Sequence, residues 1–351
     1  MAKLVFHLLC MSTFSGAENV VCQIMNMFSD DEDIEMVYCS PDGPIREILR
    51  NKNIRFVPLK KFSLPEIRKT IREIKPDIIH AHDMRASLAA ALTCGKTPLV
   101  SHIHNNQTDA RRVSIKSVLY LYAGIKAKSI LWVSQSAYEE YAFKKAVDNK
   151  SSVLKNIIDV EQTRFLAETA ITEKKYEVVF VGRLTYPKNP ERLMKVLNKV
   201  LNKKRGVKVA IIGDGELRDV TKQLCDRYEL NRNIDFLGFI ENPLAYMKQA
   251  KVLVMVSRWE GTPMCVLEAL SLGTPVVSTP TDGIKQVITD GENGYLSDDD
   301  DVLADKIISI VSEESLFLKL SEKAKKMSEQ YNSIEKYKKE ILKCYYEAVN
   351  S

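Results

Sequence analysis

No stretch of the chain approaches the run of about 18 apolar residues that a membrane-spanning helix needs. The seven cysteines include no C-x-x-C pair, so their spacing supports neither a disulfide framework nor a zinc site and suits a reducing compartment. Histidine is scarce as well, with five residues in 351. The remaining composition, 45% hydrophobic and 28% charged residues, is typical of a globular protein with two domains of ordinary size.

The first residues permit two interpretations. Lys3 precedes a short apolar run, as in a signal peptide, but His7 interrupts that run and no small-x-small cleavage site follows cleanly. We therefore expect a buried strand that leads into a loop and a helix, in a cytoplasmic protein.

Short apolar runs alternate with amphipathic stretches along the sequence, a pattern typical of parallel sheets flanked by helices. Strands are predicted at residues 3–9, 35–39, 55–57, 78–80, 99–102, 129–133, 177–181, 208–212, 234–237, 252–256 and 275–278. Helices are predicted at residues 17–28, 64–74, 190–203, 217–228, 242–249 and 266–272.

This alternation predicts an α/β fold with two Rossmann-like domains whose parallel sheets face a central cleft. The N-terminal domain is expected at residues 1–160 and the C-terminal domain at 176–332. The polar segment 159–175 is interpreted as the linker between them. A final amphipathic helix, at about 333–351, is expected to cap one of the two domains.

The excess positive charge lies in the first half of the chain. The first 165 residues contain 23 Lys and Arg against 18 Asp and Glu, whereas the remainder contains 28 of each. The excess peaks between Arg46 and Lys75, where ten basic residues accompany three acidic ones. Such a stretch suits either an anionic partner or an ordinary solvated helix face. With Arg111, Arg112 and Lys116, it is predicted to dock on an anionic membrane.

The most informative segment is SRWEGTPMCVLEALSLGTPVV, residues 257–277. A predicted strand ends before it, and a helix is expected to begin near Pro263, which suits a first helical turn. Free N–H groups of Met264, Cys265 and Val266 would then point from the positive end of this helix toward a ligand. A helix start of this kind is a natural diphosphate site.

Two carboxylates frame the same helix start. Glu260 and Gly261 precede the helix, and Glu268 lies roughly a turn and a half into it. One carboxylate can therefore face a sugar while the other faces a ribose. By spacing alone the pair would also fit two solvated surface glutamates.

A second segment, VFVGRLTYPKNPERLMKVL at residues 179–197, joins a predicted strand to a predicted helix. Gly182 follows the strand directly, and Arg183 and Lys188 lie in the loop. Two cations at such a junction can clamp a pyrophosphate and stabilise the charge on a departing nucleoside diphosphate.

Glycines follow two further strands. Gly213 and Gly215 form a tight turn, but Arg218 occupies the place of the third glycine in a dinucleotide fingerprint, which argues against a dehydrogenase. Near the N-terminus, Gly16 would let the backbone approach a ligand closely, and the helix after it offers its positive end to a phosphate.

Four of the five histidines form two pairs at the ends of predicted strands, His80 with His82 and His102 with His104. Their i, i+2 spacing is compatible with metal ligation, but no acidic residue at suitable spacing completes such a site. We therefore predict no metal. His82 is interpreted either as part of an acceptor site or as a satisfied loop histidine.

These motifs resemble glycosyltransferase family 4, a family of retaining enzymes with the GT-B fold. The resemblance covers nearly the whole chain and rests on the Glu-x₇-Glu pair of Glu260 and Glu268 and on the G-R-L-x-x-x-K pattern that begins at Gly182. It implies that Glu260 contacts the hydroxyls of the donor sugar and that Glu268 binds the ribose. It also implies that His104 contacts the sugar near its reacting carbon.

The resemblance implies a retaining hexosyltransferase that moves a hexose or N-acetylhexosamine from a nucleotide-diphosphate sugar, a UDP-sugar above all, to a free or lipid-linked saccharide acceptor. It further implies a role in capsular or exopolysaccharide synthesis at the inner face of the cell membrane, without a metal, a further cofactor or nucleic acid. The predicted catalytic residues are Arg183, Lys188, Glu260 and His104. The predicted donor-binding residues are Gly16, Gly182, Gly213, Gly215, Gly261, Met264, Cys265, Val266 and Glu268.

Two other classes of protein fit part of the pattern. One is an enzyme of the same architecture that performs another reaction, such as a nucleotide-sugar epimerase or a phosphorylase-like enzyme. The other is a non-catalytic sugar-nucleotide-binding subunit of a glycosyltransferase complex. Product analysis would separate the first class from a transferase, and an assay for transfer or donor hydrolysis would separate the second.

Overall fold

The computed structural model describes residues 2–104, 110–169, 172 and 175–350. The chain forms two compact units: the first combines Met1–Asn156 with Ile334–Ser351, and the second is Ile157–Ser333. Each unit is an α/β structure built on one parallel sheet with its own buried apolar core. The α/β class predicted from the alternating pattern is confirmed.

The first unit contains a seven-stranded parallel sheet in the order β3-β2-β1-β4-β5-β6-β7. Its strands are β1 (Lys3–Leu8), β2 (Ile34–Pro41), β3 (Phe56–Leu59), β4 (Ile78–His82), β5 (Leu99–Ile103), β6 (Ser129–Trp132) and β7 (Ser151–Val153). Its first helices are α1 (Gly16–Met27), α2 (Ile45–Asn51), α3 (Leu64–Ile74), α4 (Asp83–Thr93), α5 (Ile115–Lys126), α6 (Gln135–Glu139) and α7 (Lys144–Val147). Central strands such as β4 and β5 are buried along their whole length, because helices cover both faces of a parallel sheet.

The second unit contains a six-stranded parallel sheet in the order β10-β9-β8-β11-β12-β13. Its strands are β8 (Val178–Val181), β9 (Val209–Ile212), β10 (Ile234–Gly238), β11 (Val252–Met255), β12 (Val276–Ser278) and β13 (Gly294–Leu296). Its helices are α8 (Val160–Thr169), α9 (Pro190–Lys203), α10 (Arg218–Arg227), α11 (Leu244–Gln249), α12 (Met264–Leu272), α13 (Asp282–Lys285), α14 (Asp300–Ser312) and α15 (Glu314–Ser328).

The segment interpreted as a linker contains helix α8. Its buried residues Val160, Thr163 and Ala167 recur at helical spacing, and the helix packs on α11 and α12 of the second unit. The side chain of Asn242 donates a hydrogen bond to the carbonyl of Leu166 at 3.0 Å. The polar composition of this segment reflects the solvent-facing side of a helix.

The last helix, α16 (Ile334–Asn350), belongs to the first unit. Lys338 Nζ lies 3.0 Å from Asp31 Oδ2, and the hydroxyl of Tyr345 lies 2.8 Å from His80 Nδ1. Among the described residues, no helix combines the length and the apolar character that crossing a bilayer requires.

Candidate functional site

The order of the second sheet identifies the edge at which a ligand would bind. The strands run outward in both directions from the neighbours β8 and β11, which pair through Val178 and Val252. At such a topological switch point, the loops after the two strands diverge and leave a crevice beyond their carboxyl ends. Arg183 and Lys188 follow β8, and Glu260 follows β11.

The structure joins these two loops through a charged pair. Lys188 Nζ lies 2.5 Å from Glu260 Oε1, and the Ser257 hydroxyl donates to the same oxygen at 2.6 Å. Only 17% of the Lys188 side chain and 11% of the Glu260 side chain are exposed. Because both groups are largely removed from water, their mutual orientation is more firmly held than that of a surface pair.

The charges around this pair interact with one another. Burial disfavours the charged form of Lys188, but the Glu260 carboxylate outweighs it, and the pKa of Lys188 lies above its ordinary value. Burial, with the neighbouring Glu260 and Glu268 carboxylates, raises the pKa of the Cys265 thiol to about 12 against the opposing effect of Lys188. The structure therefore brings Lys188, Glu260, Cys265 and Glu268 close together. The Lys188 ammonium stays protonated, and the Cys265 thiol stays neutral.

Arg183 is exposed, and its guanidinium lies close enough to Lys188 for its charge to oppose protonation of that lysine. Within the described part of the chain, Arg183 forms no ion pair. The site thus combines one cation held by a carboxylate with a second cation that is open to an anionic ligand.

Further contacts align the two loops. The Arg258 N–H donates to the carbonyl of Pro187 at 2.8 Å, and the Arg258 guanidinium lies 4.3 Å from the centre of the Tyr186 ring. The Thr279 hydroxyl donates to the carbonyl of Ser257 at 2.8 Å. Sequence reasoning missed these positioning residues, because their signal is the contact between loops and not a residue pattern.

Helix α12 begins beside the pair, after Pro263, and has no side-chain cap. No acceptor for the N–H groups of Met264 and Cys265 is found among the described residues. The prediction of three free N–H groups is wrong for Val266, whose N–H donates to the carbonyl of Pro263 at 3.1 Å. The helix start therefore offers two N–H groups and the positive end of its dipole.

Glycines are required where neighbouring loops touch through their backbones. A Cβ atom on Gly213, whose φ is +136°, would lie 2.0 Å from the carbonyl oxygen of Gly182. A Cβ on Gly215 would lie 2.4 Å from the carbonyl oxygen of Leu184. These positions keep the loops after β8 and β9 in contact, and this close approach of the two backbones accounts for both glycines.

Gly283 holds the loop that carries Glu260. A Cβ on Gly283 would lie only 1.3 Å from the carbonyl oxygen of Gly261. We expect Gly283→Ala to displace the Glu260 loop and to lower the free energy of unfolding by about 1–3 kcal/mol. Urea unfolding measures this change. Gly206→Ala is the matched control, since a Cβ there meets nothing within 4 Å and its effect should stay within about 0.5 kcal/mol. Equal effects of the two substitutions would contradict the packing argument.

All five histidines gather in the first unit, at the ends of β1, β4 and β5, and all are at least 92% buried. His7 Nδ1 lies 3.0 Å from His82 Nε2, and His82 Nδ1 lies 2.8 Å from His104 Nε2. Burial lowers the pKa of His7 and of His104 to about 3 and that of the other three well below the ordinary value. These imidazoles are therefore neutral near pH 7.

Contact with Met36 determines which nitrogen donates in each hydrogen bond between these histidines. A thioether sulfur accepts but cannot donate, so His7 Nε2 directs its proton toward Met36 Sδ, 3.3 Å away. His7 Nδ1 then accepts from His82 Nε2, and His82 Nδ1 accepts from His104 Nε2. His104 is left with a lone pair on Nδ1, an atom without a partner in the described residues.

The same histidines are the described residues best arranged to hold a metal. Two overlapping groups, His7-His80-His82 and His82-His102-His104, offer ligand atoms that lie within 4.8 Å of one another. Two nitrogens on a tetrahedral zinc ion are about 3.3 Å apart, given Zn–N bonds of about 2.0–2.1 Å. The contacts of 2.8 and 3.0 Å are instead those of hydrogen bonds.

Two further positions of the first unit were predicted to bind ligand, His104 and the start of α1. Asp83, the first residue of α4, adopts φ +65°, and its Oδ1 accepts the His104 N–H at 3.0 Å. Gly16 begins α1 with open space around its Cβ position. The Glu18 side chain is buried in the first turn and accepts a hydrogen bond from Ser15. That carboxylate weakens the attraction of this helix start for a phosphate.

Two family models match consecutive parts of the chain. The model described as Glycosyltransferase Family 4 matches residues 14–162. The model described as Glycosyl transferases group 1 matches residues 161–327. Together they cover both units apart from the two ends.

The chain is 29% identical over 236 residues to an uncharacterized glycosyltransferase of Methanocaldococcus jannaschii, a match that covers 61% of this chain and 58% of that protein. It is 26% identical over 348 residues to the UDP-Gal:alpha-D-GlcNAc-diphosphoundecaprenol alpha-1,3-galactosyltransferase of Escherichia coli, and the match covers 87% of this chain and 89% of the relative. Three curated relatives are matched over only 58%, 24% and 62% of their own length.

Among solved structures, the chain is similar to HepE of Anabaena in complex with UDP and glucose, with a TM-score of 0.84. The similarity covers 98% of this chain and 99% of that one at 18% sequence identity. At this level of identity the likeness concerns the fold.

Proposed function

The chain belongs to glycosyltransferase family 4 and has the GT-B fold that its motifs predicted, and from this premise we propose that it is a retaining hexosyltransferase using a nucleotide-diphosphate sugar. The observation that carries the proposal is the Lys188–Glu260 pair at the switch point of the second sheet, beside the guanidinium of Arg183, which has no ion-pair partner among the described residues. The donor proposed is a UDP-sugar with a hexose or N-acetylhexosamine. The UDP named with HepE and the UDP-Gal named with the Escherichia coli relative support this choice.

The chemistry assigned to the second unit is stabilisation of the departing diphosphate. Arg183, Lys188 and the N–H groups at the start of α12 would bind its oxygens, because they present positive charge where negative charge develops. These groups take the place of a metal ion in the proposed reaction. Glu260, oriented by Ser257 and Lys188, would accept hydrogen bonds from the sugar hydroxyls, and Glu268 would bind the ribose.

Acceptor binding is assigned to the first unit. The acceptor hydroxyl would attack the anomeric carbon from the side of the leaving group, so that the configuration is retained. His104 Nδ1 is buried and has no partner among the described residues, and we propose that its lone pair accepts a hydrogen bond from a bound sugar hydroxyl. We propose a lipid-linked saccharide as the acceptor, because the Escherichia coli relative acts on a diphosphoundecaprenol-linked sugar. Capsular or exopolysaccharide synthesis in the cytoplasm, at the inner face of the membrane, is the setting that we propose.

Stabilisation by a panel of nucleotide sugars tests the donor assignment. A UDP-sugar present at about 100 times its Kd should raise the free energy of unfolding by about 2.7 kcal/mol, because it binds only the folded protein. Urea unfolding with UDP-, GDP-, ADP- and dTDP-sugars measures the shift, and the sugar without a nucleotide serves as control. If no nucleotide sugar stabilises the protein, the proposed donor class is wrong.

Product analysis then separates transfer from other reactions of a bound nucleotide sugar. We expect release of the nucleoside diphosphate to require an acceptor saccharide and the product to keep the anomeric configuration of the donor. A donor sugar that returns epimerised, without transfer, would replace this proposal with an epimerase. Donor binding with neither transfer nor hydrolysis for a broad set of acceptors would indicate a non-catalytic subunit.

A further inference from the structure

Helix α5 of the first unit exposes most of its large apolar side chains, and Tyr120 is the large side chain that it buries. Ser117, Ala123 and Gly124 face the interior, where the hydroxyl of Tyr120 hydrogen-bonds with Ser101 at 3.0 Å. A surface helix of a globular protein ordinarily turns its larger apolar side chains toward the core. The inner face of α5 packs on α4. Packing within the unit therefore does not explain why the outer face is apolar.

The outer face is a continuous apolar surface. Of the 17 large hydrophobic residues that are exposed among the described residues, six lie between positions 113 and 125. They are Val113 (76% exposed), Ile115 (82%), Val118 (48%), Leu119 (45%), Tyr122 (44%) and Ile125 (59%). Positions 115, 118, 119 and 122 share one helix face by their spacing. A contiguous exposed apolar surface of this kind marks an interaction site.

The charges around this face have one sign. Residues 111–128 contain five basic side chains, Arg111, Arg112, Lys116, Lys126 and Lys128, and no acidic one. Arg111 pairs with Glu140 at 2.9 Å, whereas Arg112, Lys126 and Lys128 form no ion pair within the described ranges. Lys150 adds a further cation at the end of the helix, where its Nζ donates to the carbonyl of Ile125 at 2.8 Å.

The stretch between Arg46 and Lys75, which carries the densest positive charge in the sequence, is built differently. Four of its ten basic residues, Arg46, Arg50, Arg55 and Lys69, pair with an aspartate or glutamate. Its only large hydrophobic residue exposed in the described structure is Leu64, at 38%. This stretch therefore has the features of a solvated surface.

We propose that the outer face of α5 binds an anionic lipid bilayer, with its apolar side chains at the boundary of headgroups and acyl chains and its basic side chains among the headgroups. A helix that lies in the interface needs this combination of an apolar face and a lysine- and arginine-rich rim. With 12 residues, α5 is about 18 Å long, which suits a position along the surface. The choice of a lipid surface rests on the proposed lipid-linked acceptor, but binding does not require transfer.

Charge also favours a bilayer over a second copy of the chain. Two α5 faces that met about a two-fold axis would place the same apolar patch and the same basic rim opposite each other. The rim cations would then repel across the contact without an acidic partner from residues 111–128. An anionic bilayer offers apolar acyl chains to the exposed apolar face and anionic headgroups to the basic side chains around it.

Cosedimentation with vesicles tests this surface. Wild-type protein should bind vesicles of phosphatidylcholine with phosphatidylglycerol more tightly than pure phosphatidylcholine vesicles, and added salt should weaken the binding. Ile115→Ser with Leu119→Ser should lower the partition coefficient by about tenfold or more, because two exposed apolar side chains no longer enter the interface. Arg112→Glu should lower it by roughly fivefold or more, since each basic residue near an anionic leaflet contributes about that factor.

Lys61→Glu, in the stretch from Arg46 to Lys75, is the matched charge control and should change the partition coefficient less than Arg112→Glu does. Circular dichroism and transfer to a water-soluble acceptor should be unchanged in all variants, which distinguishes failed docking from failed catalysis. No binding by the wild type, or equal binding by the α5 variants, would overturn the proposal. A concentration-dependent dimer in light scattering that Ile115→Ser with Leu119→Ser abolishes would overturn it in favour of a second copy of the chain.

Discussion

Arg183→Ala should lower kcat/KM for sugar transfer by about 10²- to 10³-fold, which corresponds to about 2.7–4 kcal/mol of transition-state stabilisation. Arg183 is exposed and forms no ion pair in the described residues, so its guanidinium is available to a ligand. Its removal leaves no buried carboxylate without a partner. The folded protein should therefore keep its stability within about 0.5 kcal/mol, and the loss should appear in transfer alone.

Lys188 is a poorer test of the same idea. Its ammonium group forms an ion pair with Glu260, and the two side chains are only 17% and 11% exposed. Removing one member of a largely buried pair destabilises the protein, since the other charge stays behind. A drop in activity after Lys188→Ala would therefore mix lost catalysis with a displaced loop.

Arg205→Ala provides the control for Arg183→Ala, because Arg205 is also an exposed arginine of the second unit but lies in the loop between α9 and β9. Its kcat/KM should stay within about twofold of the wild type. Steady-state rates with the donor identified by the stabilisation panel supply both values. If Arg183→Ala transfers sugar at the rate of Arg205→Ala, the assignment of Arg183 to the diphosphate is wrong.

The sequence predicted some helices to the residue, but it missed two of the longest, α14 and α15. Helices α3 and α9 begin and end at the predicted residues, and both start with a proline in the first turn. Strands β7 and β13 were missed because each contains only three residues and is not buried throughout, whereas the equally short β12 is fully buried and was predicted. Helix α8 was missed because most of its side chains are polar and because it packs on α11 and α12, which lie far away in the sequence.

The candidate site could be predicted residue by residue but not as a set of contacts. Motifs identified Arg183, Lys188 and Glu260 because each follows a strand. That Lys188 and Glu260, 72 residues apart, meet at 2.5 Å depends on β8 and β11 being neighbours, which only the sheet order reveals. The same holds for the histidines. Two i, i+2 pairs are visible in the sequence, but the hydrogen bond from His82 to His7 requires β1 and β4 to be adjacent.

That gathering of histidines makes the first unit sensitive to acid. Burial lowers the pKa of all five imidazoles, and in the unfolded chain each returns to about 6.5. Below this pH the unfolded chain binds protons that the folded unit does not. The stabilising contribution is therefore present above about pH 6.5 and is lost as the pH falls toward the pKa of about 3 of His7 and His104.

Each histidine that stays neutral in the folded unit contributes about 1.4 kcal/mol per pH unit to this loss, or up to about 7 kcal/mol per pH unit for five. A domain has only about 5–15 kcal/mol of stability to lose. The first unit should therefore unfold within about two pH units below pH 6.5. His102→Leu should reduce the slope by about one fifth, because the nitrogens of His102 have no partner in the described structure and its removal deletes one titrating group.

The two tryptophans allow each unit to be followed separately, since Trp132 is buried in the first unit and Trp259 lies in the second. Urea unfolding between pH 7.5 and 5.0, followed by Trp132 fluorescence in a Trp259→Phe chain, measures the slope of the first unit. The second unit contains no histidine, so Trp259 in a Trp132→Phe chain should report little change over the same range. Equal slopes for the two units would contradict neutral histidines, because carboxyl groups, which both units share, would then account for the acid sensitivity.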